Sequence, residues 1–223
     1  MGRLLKAVLF DVDGTLVDSN DAHADAWVTA FREHGVNVDW LKVRRSIGMG
    51  GDKLMPAVSN LTEESPEGAA IAEARGKIFK REFLPHIKPF RNAARLVAAV
   101  KERGYTAVAA SSAPKDELTP LLKIAGAAWL MDAKTSSDDA EESKPDPDII
   151  EAALKRAKAS AGEAIMIGDT PYDVEAATRA GVKVIGFRSG GWSDGDLEGA
   201  IAIYDGPWDL LERFEDSALA NNK

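Results

Sequence analysis

Ala7-Val8-Leu9-Phe10 is an apolar run that ends abruptly on Asp11-Val12-Asp13-Gly14-Thr15. Four residues are too few for a helix of their own. With no polar alternate positions, the run reads as a strand buried on both faces. The carboxylates then stand where the strand leaves its sheet, and in open α/β sheets ligands bind at the carboxyl ends of strands. Strand alternation puts Asp11 and Asp13 on one side and Val12 on the other. Like charges held together raise the cost of ionising each other. A bound cation, or a division of labour between base and acid, accounts for such a pair. A surface turn is the bland alternative. An EF-hand calcium loop is excluded, because its sixth and twelfth positions would be Leu16 and Ala22 rather than glycine and glutamate.

The rest of the chain decides between these readings. From Asp18 to about residue 86 the spacing is helical, with no convincing strand. Ala22, Ala26, Trp27, Ala30 and Phe31 mark a first helix that stops at Gly35. Leu41, Val43 and Ile47 mark a second. Gly48 to Lys53 form a glycine-rich turn before Leu54–Val58, and Thr62 opens a long run to about Leu84. Beyond Pro89 helix and strand alternate. Strands are expected at Tyr105–Ala110, Ala128–Met131, Glu163–Ile167, Lys183–Phe187 and Ile201–Tyr204. Helices are expected at Arg91–Arg103, from Pro114 to near Gly126, from Asp148 to about Lys158, from Pro171 to Gly181 and from Pro207 to about Phe214. The tail Ala218–Lys223 is expected to fray. Alternation of this kind implies a parallel sheet with helices on both faces. The expected fold is therefore α/β: a Rossmann-like three-layer core of residues 1–17 and 87–223. The inserted segment, residues 18–86, is expected to form an all-helical cap domain over the sheet's carboxyl edge.

A parallel sheet brings its strand ends to one edge, and here those ends carry complementary polar residues. Strand one ends on Asp11 and Asp13, the next on Ser111, and a later one on Asp169, with Asp173 one helical turn further on. Lys144 lies in the charged loop between them. Several acids with one lysine and one hydroxyl suit Mg²⁺ and a phosphoryl group. Net charge is −8, which argues against a nucleic-acid backbone or an anionic membrane as partner. Cysteine is absent, which removes disulfides and thiolate chemistry and is compatible with a reducing compartment. No signal-like segment and no run of about 18 apolar residues is evident, so a cytoplasmic location is expected.

Asp11-Val12-Asp13-Gly14-Thr15, Ser111, Lys144-Pro145-Asp146-Pro147 and Gly168-Asp169-Thr170-Pro171-Tyr172-Asp173 stand in the order seen in the haloacid dehalogenase superfamily of phosphohydrolases. The chain resembles that superfamily over nearly its whole length. It is similar to the subgroup with a small helical cap that holds phosphoglycolate phosphatase and β-phosphoglucomutase. The resemblance implies that Asp11 attacks phosphorus to form an aspartyl-phosphate and that Asp13 serves as acid and then base. It also implies that Ser111 and Lys144 bind the phosphoryl group. Asp11, the main-chain carbonyl of Asp13 and Asp169 would hold Mg²⁺, with Asp173 a ligand or just behind one. Ser112 competes with Ser111, or caps the helix that follows. His23, Ser112, Gly50, Gly51 and Lys53 are candidates to touch substrate. Trp27 and Phe31 read as core.

Asp13 argues against haloalkanoate dehalogenation and phosphonate cleavage, which dispense with this second acid in the family. The expected activity is hydrolysis of a small phosphorylated metabolite by a monomer or homodimer. A β-phosphoglucomutase-like mutase is the alternative, with Arg44, Arg45 and Lys53 near the loop where those enzymes bind a second phosphate. A non-catalytic module that binds a phosphorylated ligand is a third reading.

Overall fold

The computed structural model describes residues 4–220. The chain opens with β1 (Ala7–Phe10) and a two-residue strand β2 (Val17–Asp18). Then come α1 (Asn20–Glu33), α2 (Trp40–Ser46), α3 (Gly51–Val58) and α4 (Pro66–Ile78), which runs on into a π-helical turn at Phe79–Phe83. After β3 (Lys88–Pro89) the elements are α5 (Ala93–Glu102), β4 (Thr106–Ala110), α6 (Lys115–Ile124), β5 (Ala133–Thr135) and α7 (Asp148–Ala157). They continue with β6 (Ala164–Gly168), α8 (Pro171–Arg179), β7 (Lys183–Phe187), β8 (Ala202–Tyr204) and α9 (Pro207–Glu212). Six strands form one sheet in the order β5-β4-β1-β6-β7-β8, and every pair in it is parallel.

The apolar run of β1 has the physical role its composition implies. Val8 and Phe10 face one layer with Leu96 and Val100 of α5, Leu118 and Leu122 of α6 and Leu210 of α9. Ala7 and Leu9 face the opposite layer with Ile149 and Ile150 of α7 and Val174 and Ala177 of α8. Alternate residues thus bury on opposite faces, and each large side chain contributes about 1.5–3 kcal/mol. The result is a three-layer α/β fold with β1 near its centre. Helices α1 to α4 lie between β1 and β4 in sequence and add no strand to the large sheet. Their ends follow local rules. Asp39 accepts from Lys42 N at 2.8 Å to cap α2, and Ser65 accepts from Gly68 N at 3.1 Å just before Pro66 opens α4.

The structure corrects four expectations. Ala128–Met131 is not a strand. The chain turns there, with Leu130 N and Met131 N both donating to the Ala127 carbonyl, and Trp129 is 94% exposed. The strand is Ala133–Thr135, an edge strand too short and too polar to carry a periodic signal. Val17–Asp18 pairs antiparallel with Lys88–Pro89 in a ribbon at the two chain crossings of the insertion. Gly51 to Lys53 are the first turn of α3 rather than part of the preceding turn. The tail is docked as far as Ala220: Leu219 is fully buried, and its carbonyl accepts from the Tyr105 hydroxyl at 2.7 Å. Residues 221–223, the remainder of that expectation, lie outside the described residues. Among the described residues no helix is long and apolar enough to cross a membrane.

Candidate active site

The parallel register sets the site. Phe10 pairs with Ala109 of β4 and Ile167 of β6, and Asp11 N extends the ladder to Ile167 O at 2.9 Å. Asp11 is therefore level with the last residues of both neighbours, and Ser111 and Asp169 follow one residue on. Lys144 reaches the same point from the loop between β5 and α7. Its Nζ donates to Asp11 Oδ1 at 2.6 Å and to the Ala110 carbonyl at 2.8 Å. The same nitrogen forms an ion pair with Asp173 Oδ1 at 2.7 Å. Lys144 is 1% exposed. Burial alone would favour the neutral amine, but Asp11 and Asp173 hold its pKa above the ordinary lysine value, so it stays a cation.

Asp169 is fully buried. Thr15 Oγ1 donates to its Oδ1 at 2.8 Å and Asn20 Nδ2 to its Oδ2 at 2.9 Å. Two glycines let backbone lie against it: a Cβ on Gly190 would sit 1.8 Å from Asp169 Oδ2 and one on Gly14 2.1 Å away. Gly14 also has φ +77°, which a side chain would disfavour. Asp173 holds the loop that carries Asp169. Its Oδ2 accepts from Asp169 N, Thr170 N and Thr170 Oγ1 at 3.2, 3.1 and 2.7 Å. Thr170 in turn caps α8, with Pro171 at its first position. Both Asp173 oxygens are thus engaged by protein groups, an arrangement that suits positioning.

Asp13 has different partners. Ser19 Oγ donates to its Oδ1 at 2.5 Å, and His23 Nε2 is 2.9 Å from the same oxygen. The His23 ring stacks on Phe79 at 3.9 Å and 13°, so the π-helical turn after α4 fixes the imidazole. Burial would raise the pKa of Asp13, yet His23 and Ser19 together hold it below the ordinary value. Asp11 goes the other way. Burial pushes it well up, Lys144 pulls it down, and Asp173, Asp169 and Asp13 push it up again. Burial and Asp173 likewise raise Asp169 to about 7, against the hydrogen bonds from Thr15 and Asn20.

Oxygens of Asp11, Asp169 and Asp173 lie within 4.8 Å of one another. Three buried carboxylates facing one lysine leave surplus negative charge, which adds to burial in making Asp11 and Asp169 resist ionisation. An all-oxygen donor set with that surplus fits a hard divalent cation.

A cleft of about 500 Å³, counted to its open mouth, fronts Asp11 and Asp13. Ser111 and Ser112 wall it from the sheet edge, and Gly48 to Gly51, His23 and Trp27 wall it from the insertion. Ser111 Oγ accepts from Ala113 N at 3.0 Å, which leaves its proton to donate elsewhere. Ser112 does not cap α6: Pro114 occupies the cap position, and the buried Ser112 Oγ has no hydrogen-bond partner. Lys53 does not reach the cleft. From the first turn of α3 it pairs with Glu142 and, at 3.2 Å, with Asp146. Trp27 is core and cleft wall at once. Sequence reasoning missed Asn20, Gly190, Arg75 and Glu117. Gly190 carries a faint signal as a glycine just beyond a buried strand; the others have none.

A parallel sheet whose central strand ends gather acids, a lysine and a hydroxyl defines an α/β protein with an acid-cluster site. The family model for haloacid dehalogenase-like hydrolases matches residues 8–187, and the chain belongs to that family. Phosphoglycolate phosphatase of Rhodospirillum rubrum is 30% identical over 214 residues, covering 90% of this chain and 87% of the relative. Validoxylamine A 7'-phosphate phosphatase of Streptomyces hygroscopicus subsp. limoneus is 27% identical over 195 residues, covering 83% of this chain and 87% of that protein. A solved structure of a hydrolase from Pseudomonas syringae matches with a TM-score of 0.89 at 29% identity, covering 96% of this chain and 99% of that one.

Proposed function

We propose that the protein is a Mg²⁺-dependent phosphatase that hydrolyses a small phosphate monoester through an aspartyl-phosphate on Asp11. The observation that carries this reading is the separation of two carboxylates two residues apart. Asp11 bonds to Lys144, and Asp13 bonds to Ser19 and His23. Different partners suit different roles. Asp11 attacks phosphorus as nucleophile. The departing alcohol oxygen takes a proton from Asp13, which then accepts one from the water that cleaves the acyl-phosphate. Asp13 is held below its ordinary pKa in this state. Arrival of a phosphate dianion beside it raises its proton affinity, and His23 keeps it oriented. Lys144 offsets phosphoryl charge and Ser111 donates to a phosphoryl oxygen.

Asp11, Asp169 and the main-chain carbonyl of Asp13 would hold the cation. When bound, it would neutralise charge so that a carboxylate can approach an anion. The inserted helices, residues 18–86, would act as a cap domain. In the structure they meet the sheet edge through polar contacts, among them Gly50 N to Ser143 Oγ at 3.0 Å and Arg44 to the Gly190 carbonyl at 2.7 Å. The mutase reading needs cap cations aimed at a second phosphate. Arg44 turns instead to Gly190 and Asp21, Arg45 to Trp192 and Asp196, and Lys53 to Glu142 and Asp146.

The expected result is phosphate release from several phosphate monoesters with Mg²⁺ and none with excess chelator, measured colorimetrically. Release from no ester would overturn the reading, and interconversion of glucose 1- and 6-phosphates would favour the mutase.

The raised acids also predict a pH-dependent metal effect. Between the ordinary aspartate value of 3.8 and about 7, folded Asp169 keeps a proton that the unfolded chain has lost. Metal-free stability therefore falls as pH rises through that window. Mg²⁺ at about 100 times its Kd adds about 2.7 kcal/mol, or roughly 5–10 °C in Tm for a chain of this size. The gain should be larger at pH 8 than at pH 5, where protonated carboxylates bind the ion less well. Melting curves at both pH values check this; an equal or larger gain at pH 5 would contradict it.

A further inference from the structure

The cleft that fronts Asp11 is also lined by an ion pair that joins the insertion to the sheet domain. Arg75 on α4 forks Glu117 on α6, with Nη1 at 2.9 Å from Oε1 and 2.7 Å from Oε2. Both residues line the cleft, and Arg75 is the one lysine or arginine among the described lining residues. Its guanidinium lies over the Trp27 ring, 5.2 Å from the centroid, so it is clamped by an aromatic face and a carboxylate. Glu117 is 1% exposed, so drawing Arg75 away would strand a buried carboxylate. A second acid stands close by. Glu63 lies against Gly51, where a Cβ would meet its Oε1 at 2.0 Å. Arg75 draws the Glu63 pKa down, against burial and Asp52, which raise it more. The cleft lining also includes Ile47, Met49, Ala113 and Pro114.

We infer that the Arg75–Glu117 pair sets substrate choice: the enzyme takes phosphate monoesters whose alcohol portion is uncharged and hydroxyl-bearing, and rejects those with a second anionic group. This rests on the phosphatase reading and refines it. A hydroxyl can accept from the guanidinium and donate to the carboxylate without separating them. A carboxylate or second phosphate faces buried Glu117, and the guanidinium it would need is already engaged by that carboxylate.

The test compares kcat/KM for glycerol 3-phosphate and glucose 6-phosphate with that for 2-phosphoglycolate and fructose 1,6-bisphosphate. p-Nitrophenyl phosphate reports turnover itself. The wild type should favour the uncharged-alcohol esters by at least about 10-fold. Glu117→Gln frees Arg75 and should shift the ratio toward the doubly anionic esters by about 10-fold or more. A double variant, R75Q with E117Q, should lose that shift because no freed guanidinium remains. It also separates a charge effect from a packing effect, with melting curves confirming that both variants fold. A wild type that prefers the doubly anionic esters, or a ratio unmoved by Glu117→Gln while p-nitrophenyl phosphate is still turned over, overturns the inference alone. If the wild type turns over no ester, the phosphatase reading falls and this one with it.

Discussion

Asp11→Asn should lower kcat by roughly 10⁴-fold or more while leaving the metal-free protein as stable as before, or more so. The two halves of this result have one cause. Asp11 sits at the end of a fully buried strand, and its neighbours include Asp13, Asp169 and Asp173. Burial and those acids push its pKa well up, and Lys144 only partly offsets them. The ionised nucleophile is therefore held against its own preference, and the neutral amide relieves that cost. Asn keeps an oxygen able to accept from Lys144 but cannot form an acyl-phosphate. Activity and stability should move in opposite directions, the usual sign of a strained functional group. Phosphate release with Mg²⁺ and melting curves at pH 8 without it are the measurements. Substantial remaining turnover would rule out a covalent route through Asp11. A fall in Tm of several degrees would show that the charge supports the fold.

Lys144→Met should damage both properties. The aliphatic stem is approximated, so the change isolates the ammonium, which touches Asp11, Asp173 and the Ala110 carbonyl. Removing one member of a buried pair typically costs about 3–5 kcal/mol. For a chain of this length that corresponds to roughly 6–20 °C in Tm. The loss should deepen as pH rises. In the variant the orphaned Asp11, already pushed up by burial, keeps a proton at acid pH, and surrendering or retaining it costs more as the solution becomes alkaline. Activity should fall by about 10²-fold or more, as when one donor to a developing oxyanion is lost. A variant that melts like the wild type at pH 8 and keeps activity within about 10-fold would show that the lysine is neither a structural nor a catalytic cation.

The Asp11–Thr15 segment, Ser111 and Asp169 were legible because each follows a compact apolar run. Such a run is a strand, and parallel strands deliver their ends to one edge. Asp173 was legible in part: its distance from Asp169 was evident, but not that its Oδ2 ties down the Asp169 loop while its Oδ1 meets Lys144. Lys53 misled because proximity to a glycine-rich turn says nothing of direction. The first turn of α3 points it at Glu142 and Asp146. Ala128–Met131 misled because an apolar run with a tryptophan can also be a turn on the surface.

The sequence by itself determined the alternation of strands and helices, the helical insertion, and the order of acids, hydroxyl and lysine along the chain. These are local properties, carried by periodicity and by residues next to one another. Only the tertiary structure decided which partners tune each acid. Thr15 and Asn20 meet Asp169 across 154 and 149 residues. His23 and Phe79 come together over Asp13, and Arg75 meets Glu117 across a 42-residue gap. Hydrogen bonds and charges act through a few ångströms of space, and no periodic signal along the chain records which distant residues the sheet and the insertion will bring within that reach.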